Sequence, residues 1–147
     1  MLDGSGNPAT LTLPAVGASG SLSYSQNFVI DGIKPTMTIT ASEGSDGFSS
    51  NDSTLSLTFT SSESTTGFAA ADISVSNGAI SSFSGSGTTY TATFTPTAEG
   101  ATTIDVAEST YKDSAGNNNS AATQFNWTYD GTAPTLSSVA AADATYY

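Results

Sequence analysis

Apolar and polar residues alternate along most of this chain with a period of two. Leu55, Leu57 and Phe59 are interleaved with Thr54, Ser56, Thr58 and Thr60. Tyr90, Ala92 and Phe94 are interleaved in the same way with Thr89, Thr91, Thr93 and Thr95. Phe125, Trp127 and Tyr129 alternate with Gln124, Asn126 and Thr128, and the pairs Met37/Ile39, Ile73/Val75 and Ile104/Val106 keep the same step. Successive side chains of a strand point to opposite faces, so this pattern predicts half-buried strands with a solvated, hydroxyl-rich outer face. Breakers separate the runs at Glu43–Gly47, Asn77–Gly78, Gly85–Gly87, Ala98–Gly100 and Asp113–Asn119. No stretch carries a helical period, so no helix is expected.

The strands are expected over 36–41, 53–60, 72–76, 79–84, 88–95, 102–107 and 121–129. Short strands at this spacing, with turn residues between them, argue for a β-sandwich. A second pattern sets the boundaries. Asp3-Gly4-Ser5-Gly6-Asn7, a β-run and Asp31-Gly32-Ile33-Lys34-Pro35-Thr36 come first. Asp113-Ser114-Ala115-Gly116-Asn117, another β-run and Asp130-Gly131-Thr132-Ala133-Pro134-Thr135 repeat the theme. A recurrence of this kind is the mark of a tandem array.

Between the two linkers lie about 100 residues, the size of one immunoglobulin-like sandwich. The expected fold is therefore all-β: a seven-stranded antiparallel immunoglobulin-like β-sandwich, one full repeat unit with partial units at both ends. Residues 32–131 form the complete domain in this reading. Residues 1–31 carry the terminal loop and strand of a preceding unit, with Leu22, Tyr24, Phe28 and Ile30 as its apolar face. Residues 132–147 begin the first strand of a following unit.

Charge narrows the functions open to such a body. Thirteen acidic residues against two basic ones give a net charge of -11. That surface repels phosphate backbones and anionic lipid, so neither nucleic acid nor membrane is an expected partner. The absence of Cys and His removes disulfides, thiol chemistry, imidazole acid–base catalysis and ordinary zinc sites. No apolar run approaches the ~18 residues of a membrane helix, so membrane insertion is not expected. No basic and apolar leader follows Met1, so no signal peptide is expected in this fragment. The apolar share of 37% is too high for a disordered acidic chain, so a packed core is expected.

The run from Thr54 through Glu63, then Gly67-Phe68, Asp72-Ile73, Asn77-Gly78, Phe83 to Gly87, Thr95-Pro96 and Asp113 to Asn117, resembles the bacterial Ig-like domains. The resemblance covers Asp31 to Pro134, and residues 1–31 look like the tail of a sister unit. Ser61, Ser62 and Ser64 are polar where the family carries apolar residues, but the carboxylate of Glu63 is kept. The resemblance implies an extracellular module, strung in arrays through large bacterial surface adhesins, that acts as a spacer, often with Ca²⁺ at its junctions. Its implied partners are adjacent repeats of the same parent chain, with self-association through the ragged ends as a further route.

Topology leads to the cation separately. In such a sandwich the loops after the second, fourth and sixth strands share one end of the body with the start of the first strand. Glu63 and Asp72 flank one of these loops, Asp113 and Asn117 lie in another, and Asp31 precedes the first strand. Carboxylates gathered there repel one another unless a cation lies between them, and an all-oxygen set on flexible loops suits Ca²⁺. The expected metal residues are thus Asp31, Glu63, Asp72, Asp113 and Asn117. Singly, each has a plainer use, because Asp and Asn cap turns by bonding nearby amides. A second cluster of acids, Glu43, Asp46, Asp52, Glu99 and Asp130, is expected at the opposite end.

Sharper functions fare worse. Rows of Thr are ordinary on solvated strands, so an ice-binding face is disfavoured. Lys34 and Asn126 both point outward by parity, away from the buried setting that a Lys–Asn isopeptide bond needs. Trp127 and Tyr129 share the core parity of Phe125, which leaves Tyr111, Tyr146 and Tyr147 as exposed aromatics for a carbohydrate-binding alternative. Acids confined to end loops, with no cleft, argue against an enzyme. The expected role is a stalk module, with a carbohydrate- or protein-binding module, or a strand-exchanged filament subunit, as alternatives.

Overall fold

The alternating runs become strands that bury one face each. In the computed structural model, which describes residues 30–138 together with Ala15, Ala18 and Ser19, ten strands are present. They are β1 (Met37–Ala41), β2 (Phe48–Ser50), β3 (Leu55–Ser61), β4 (Thr65–Thr66) and β5 (Ile73–Ser76). The remainder are β6 (Gly78–Ser86), β7 (Thr89–Pro96), β8 (Gly100–Val106), β9 (Lys112–Asp113) and β10 (Phe125–Tyr129). One sheet has the order β1-β3-β7-β6, the other β2-β10-β8-β5, and β4-β9 form a separate ribbon. Two four-stranded sheets in this order make an immunoglobulin-like β-sandwich. Among the described residues the only helical segment is a short 3₁₀ turn at Ala70–Asp72.

The chain divides into two compact units, Met1–Asp31 and Gly32–Tyr147. Within the first, the Ala18 amide donates to the Ala15 carbonyl at 2.9 Å, closing a turn. Ile30, expected on the apolar face of a closing strand, is 93% exposed. The rest of that expected strand, Leu22, Tyr24 and Phe28, lies outside the described residues. Residues 131–138 form no strand and are exposed; the remainder of the expected following strand lies outside the described residues as well.

The inward positions of both sheets meet in one core. Leu55, Leu57, Phe59, Phe94, Ile104, Val106 and Trp127 are all at or below 1% exposure. Phe94 meets Trp127 edge-on at 6.1 Å between centroids, and Phe48 stacks on Trp127 at 6.0 Å. Such pairs add to the burial of large apolar rings. Trp127 keeps its indole N–H satisfied by donating to Ser50 Oγ at 3.0 Å.

Seven of the ten strands coincide with the expected ones; β2, β4 and β9 are additional. The seven expected strands pair antiparallel, and the additional β2 departs from that pattern by pairing with β10 in parallel, with Phe48 opposite Trp127. The chain leaves β1, crosses between the sheets and joins the far one. Two acids fasten that crossing. Both carboxylate oxygens of Glu43 accept the Ser56 amide at 3.0 Å, and Asp46 Oδ1 accepts the Asn126 amide at 2.7 Å. Partial burial raises the Glu43 pKa, but the Ser56 hydrogen bonds outweigh it and hold the group below its ordinary value.

A depressed carboxylate binds protons more readily in the unfolded chain than in the folded one. Its stabilising contribution is therefore present above the unfolded pKa and is lost as pH falls through the folded one. Thermal melts from neutral pH downward should lose stability progressively below about pH 5. Glu43→Gln, which keeps an acceptor for Ser56 but cannot ionise, should flatten part of that acid limb while leaving the fold intact. An acid limb identical to that of the parent would remove this role from Glu43.

Candidate metal centre

Two connecting segments without alternation pair with each other at one end of the sandwich. β4 lies between β3 and β5, and β9 lies between β8 and β10; Thr65 pairs with Asp113 and Thr66 with Lys112. Thr66 Oγ1 donates to the carbonyls of Lys112 and Asp113 at 3.3 and 3.1 Å. The Thr65 amide donates to the Gly87 carbonyl at 2.9 Å, and Thr65 Oγ1 bonds the Tyr90 hydroxyl at 2.6 Å. The ribbon is thus tied to the β6–β7 hairpin.

The segment leading into β1 is held by both loops. Ser62 and Thr36 exchange two hydrogen bonds, Ser62 N to Thr36 O at 2.9 Å and Thr36 N to Ser62 Oγ at 3.0 Å. On the other side the Ser120 amide donates to the Pro35 carbonyl at 3.0 Å, and the Pro35 ring is buried. Glu63 follows Ser62 directly, and Asp31 lies four residues before Pro35.

Asn119 organises the loop that carries Asp113. It is fully buried, and its Oδ1 accepts the amides of Thr110 and Tyr111 at 2.9 and 3.0 Å. Its Nδ2 donates to the carbonyls of Ala107 and Ser120 at 2.8 and 2.9 Å. One buried side chain therefore satisfies four backbone groups. Asn119 was not among the expected site residues: in the run Asn117-Asn118-Asn119 nothing in the sequence marks the third residue as the interior one.

Asp113 itself is only 2% exposed. Its Oδ1 accepts the Asn117 amide at 2.9 Å and its Oδ2 accepts Asn117 Nδ2 at 2.8 Å. Gly116, at φ +96°, makes the tight return that brings Asn117 back to the carboxylate. Burial pushes the Asp113 pKa up, but the bonds from Asn117 and the amides of Gly116 and Ala115 prevail and hold it below the usual carboxylate value. The group is an anion prepared by its own loop.

Three of the expected residues come together. Asp31, half-buried Glu63 and Asp113 each place one carboxylate oxygen within 4.8 Å of the others. Glu63 Oε1 is shielded from solvent. Asp72 stands outside this group: its Oδ2 accepts the Ala69 amide at 2.8 Å and caps the 3₁₀ turn. Asn117 reaches the centre through Asp113, as the donor that orients that carboxylate. Acids expected at the far end bond neighbouring protein groups. There Glu43 bonds Ser56, Asp46 bonds Asn126, and Glu99 accepts Thr132 Oγ1.

Tyr111 corrects another expectation. It is 2% exposed, packs edge-on against Phe68 at 5.3 Å, and offers no surface for a sugar. Burial raises its hydroxyl pKa, and the nearby Glu63 charge adds to the rise. Tyr146 and Tyr147 lie outside the described residues.

Chemically the centre holds three carboxylates and, with no His or Cys in the chain, neither an imidazole nor a thiol. Oxygens on one Ca²⁺ lie 2.3–2.6 Å from it, and so no more than about 5 Å apart. The observed spacing meets that limit, and the all-oxygen donor set is of the kind hard cations take. The model of the bacterial Ig-like domain family matches residues 31–129. No curated protein and no solved structure matches the chain. No helix among the described residues is long and apolar enough to cross a membrane.

Asn119→Ala should remove the partner of two amides and two carbonyls and cost about 2 to 3 kcal/mol in urea unfolding. Asn118→Ala, at an exposed neighbour, should change stability by less than about 0.5 kcal/mol. Equal effects of the two would show that the loop does not rely on Asn119.

Proposed function

Because this chain belongs to the bacterial Ig-like domain family, we propose that it is a spacer module of a repetitive extracellular protein, stiffened by Ca²⁺ at its junction with the preceding unit. The observation that carries this reading is the meeting of Asp31, Glu63 and Asp113 oxygens within 4.8 Å at the end where the chain enters the sandwich. Asp31 belongs to the linker, Glu63 and Asp113 to the loops. A shared cation would therefore join linker to loops.

Such a joint has a useful energy scale. Extracellular calcium modules hold the ion with Kd of about 10⁻⁴ to 10⁻³ M, near the concentration of their surroundings. At ten times Kd, one ion stabilises the bound form by about 1.4 kcal/mol. That is small beside a hydrophobic core, yet it biases a hinge about tenfold toward the bound arrangement. Repeated along an array of adjacent units, the bias turns a flexible string into a stalk that holds a distal domain away from its anchor. Recurrence of the Asp-Gly-x-x-Pro-Thr linker at Asp31 and Asp130 supports the array. Pro35 and Pro134 narrow the backbone freedom of each linker.

Saturating Ca²⁺ should raise the melting temperature by about 5 to 10 °C over the same protein in EGTA, in keeping with the expected binding energy. Asp113→Ala should abolish that difference and leave the far-ultraviolet spectrum of the sandwich unchanged. A melting temperature indifferent to chelator would end the calcium reading and leave the module a spacer without an ionic lock.

A further inference from the structure

At the other end of the sandwich the chain leaves β10 under a different kind of restraint. Thr132 Oγ1 lies 2.8 Å from Glu99 Oε1 and 2.9 Å from Glu99 Oε2, so one hydroxyl proton is shared across a whole carboxylate. The Thr132 amide donates to Asp130 Oδ1 at 3.1 Å, and the Asp130 amide donates to the Ser50 carbonyl at 3.0 Å. Residue 131 is held close as well: a Cβ there would meet the Tyr129 hydroxyl oxygen at 2.8 Å and Glu99 Oε1 at 3.3 Å. Any larger residue there would have to push the Tyr129 ring end aside. Three successive residues beyond the last strand are thus fixed by groups from β2, from the β7–β8 turn and from each other.

We propose that Glu99 and Thr132 form a metal-independent clasp that sets the direction in which the chain leaves the sandwich and thereby positions Asp130. The proposal rests on the reading of the chain as one unit of an array: Asp130 stands to a following unit as Asp31 stands to this one. A carboxylate that swings freely must be ordered by the ion it binds, at the expense of affinity. A carboxylate already aimed by its own module is not so taxed. The clasp is thus the upstream half of a joint, and the acid group of the next module is the downstream half. The two linkers differ at the clasping position. Ile33 occupies in the first the place of Thr132 in the second, and an apolar side chain cannot donate to a Glu99-like acceptor. The clasp is therefore a property of individual junctions, which lets stiffness vary from joint to joint along one chain.

Glu99 is the positioning residue here, because it acts on Asp130 through Thr132. The test is ¹⁵N relaxation on the full chain in EDTA, so that calcium plays no part. In the parent, the Gly131 and Thr132 amides should show order parameters near the rigid value of about 0.85. Thr132→Val, which keeps shape but loses the hydroxyl, should lower them toward the flexible range below about 0.6. Glu99→Ala should do the same from the opposite partner, and the double variant should be no looser than either single one. Thr132→Ser should restore the parent values, whereas melting temperatures should stay unchanged throughout. Linker amides as mobile in the parent as in Thr132→Val, or loosening that Thr132→Ser fails to reverse, would overturn the clasp. Either result is independent of whether calcium shifts the melting temperature, so the clasp and the ionic lock stand or fall separately.

Discussion

The structure depends on one constraint: each strand has an apolar face that water disfavours, and the two sheets can hide those faces only against each other. Phe59, Phe94 and Trp127, all at or below 1% exposure, come from different strands and both sheets, and their rings fill the space between. Burial of this kind scales with apolar area and has no preferred direction. It fixes which face of every strand points inward but leaves the outward face free, and there the chain places threonine and serine. Its hold on the loops is slighter and runs through Phe68 and Tyr111, which lie between strands and turn into the core.

The rest of the order at the two ends comes from polar bonding. At the end where the chain enters, the β4–β9 ribbon and Asn119 do this together. The ribbon puts Thr65 opposite Asp113, and Asn119 closes the loop from inside with four bonds to backbone. Only then do carboxylates from three distant stretches of chain fall within 4.8 Å. Asp113 tolerates its crowded position because Asn117 donates to both of its oxygens. The sequence of causes runs from core to ribbon to anion.

The strands were legible in the sequence because their period is two and their breakers are sharp: Leu55-Leu57-Phe59 and Phe125-Trp127-Tyr129 admit little else. The end at which Glu63, Asp113 and Asp31 meet was legible too, since sandwich topology assigns loops to ends. What escaped has no period to read. β2 offers only Phe48-Ser49-Ser50, too short for alternation, and its parallel partner lies far along the chain. β4 and β9 are two residues each and exist only because they face one another. Tyr111 stands alone between breakers, so nothing in its neighbours told that it turns inward against Phe68. Asp72 sits in the right loop but caps its own turn, a local competitor that topology cannot see.

The two ends also differ in what their charges do. Asp31, Glu63 and Asp113 gather like charges, an arrangement whose sign depends on the surroundings: repulsive in a medium without divalent cations, cohesive in one that supplies them. Glu99 faces a neutral hydroxyl instead, so its bond to Thr132 has no repulsion to overcome and asks nothing of the medium. On the proposed calcium reading, such a module would have one joint surface that responds to its environment and one that does not. In a series of such modules each junction would bring one of each together, with the linker aspartate common to both. The fixed half then reduces what the ion must order, so the responsive half needs only modest affinity to act. On that reading, the division of labour would let millimolar cation, which binds a single site weakly, govern the stiffness of a long chain.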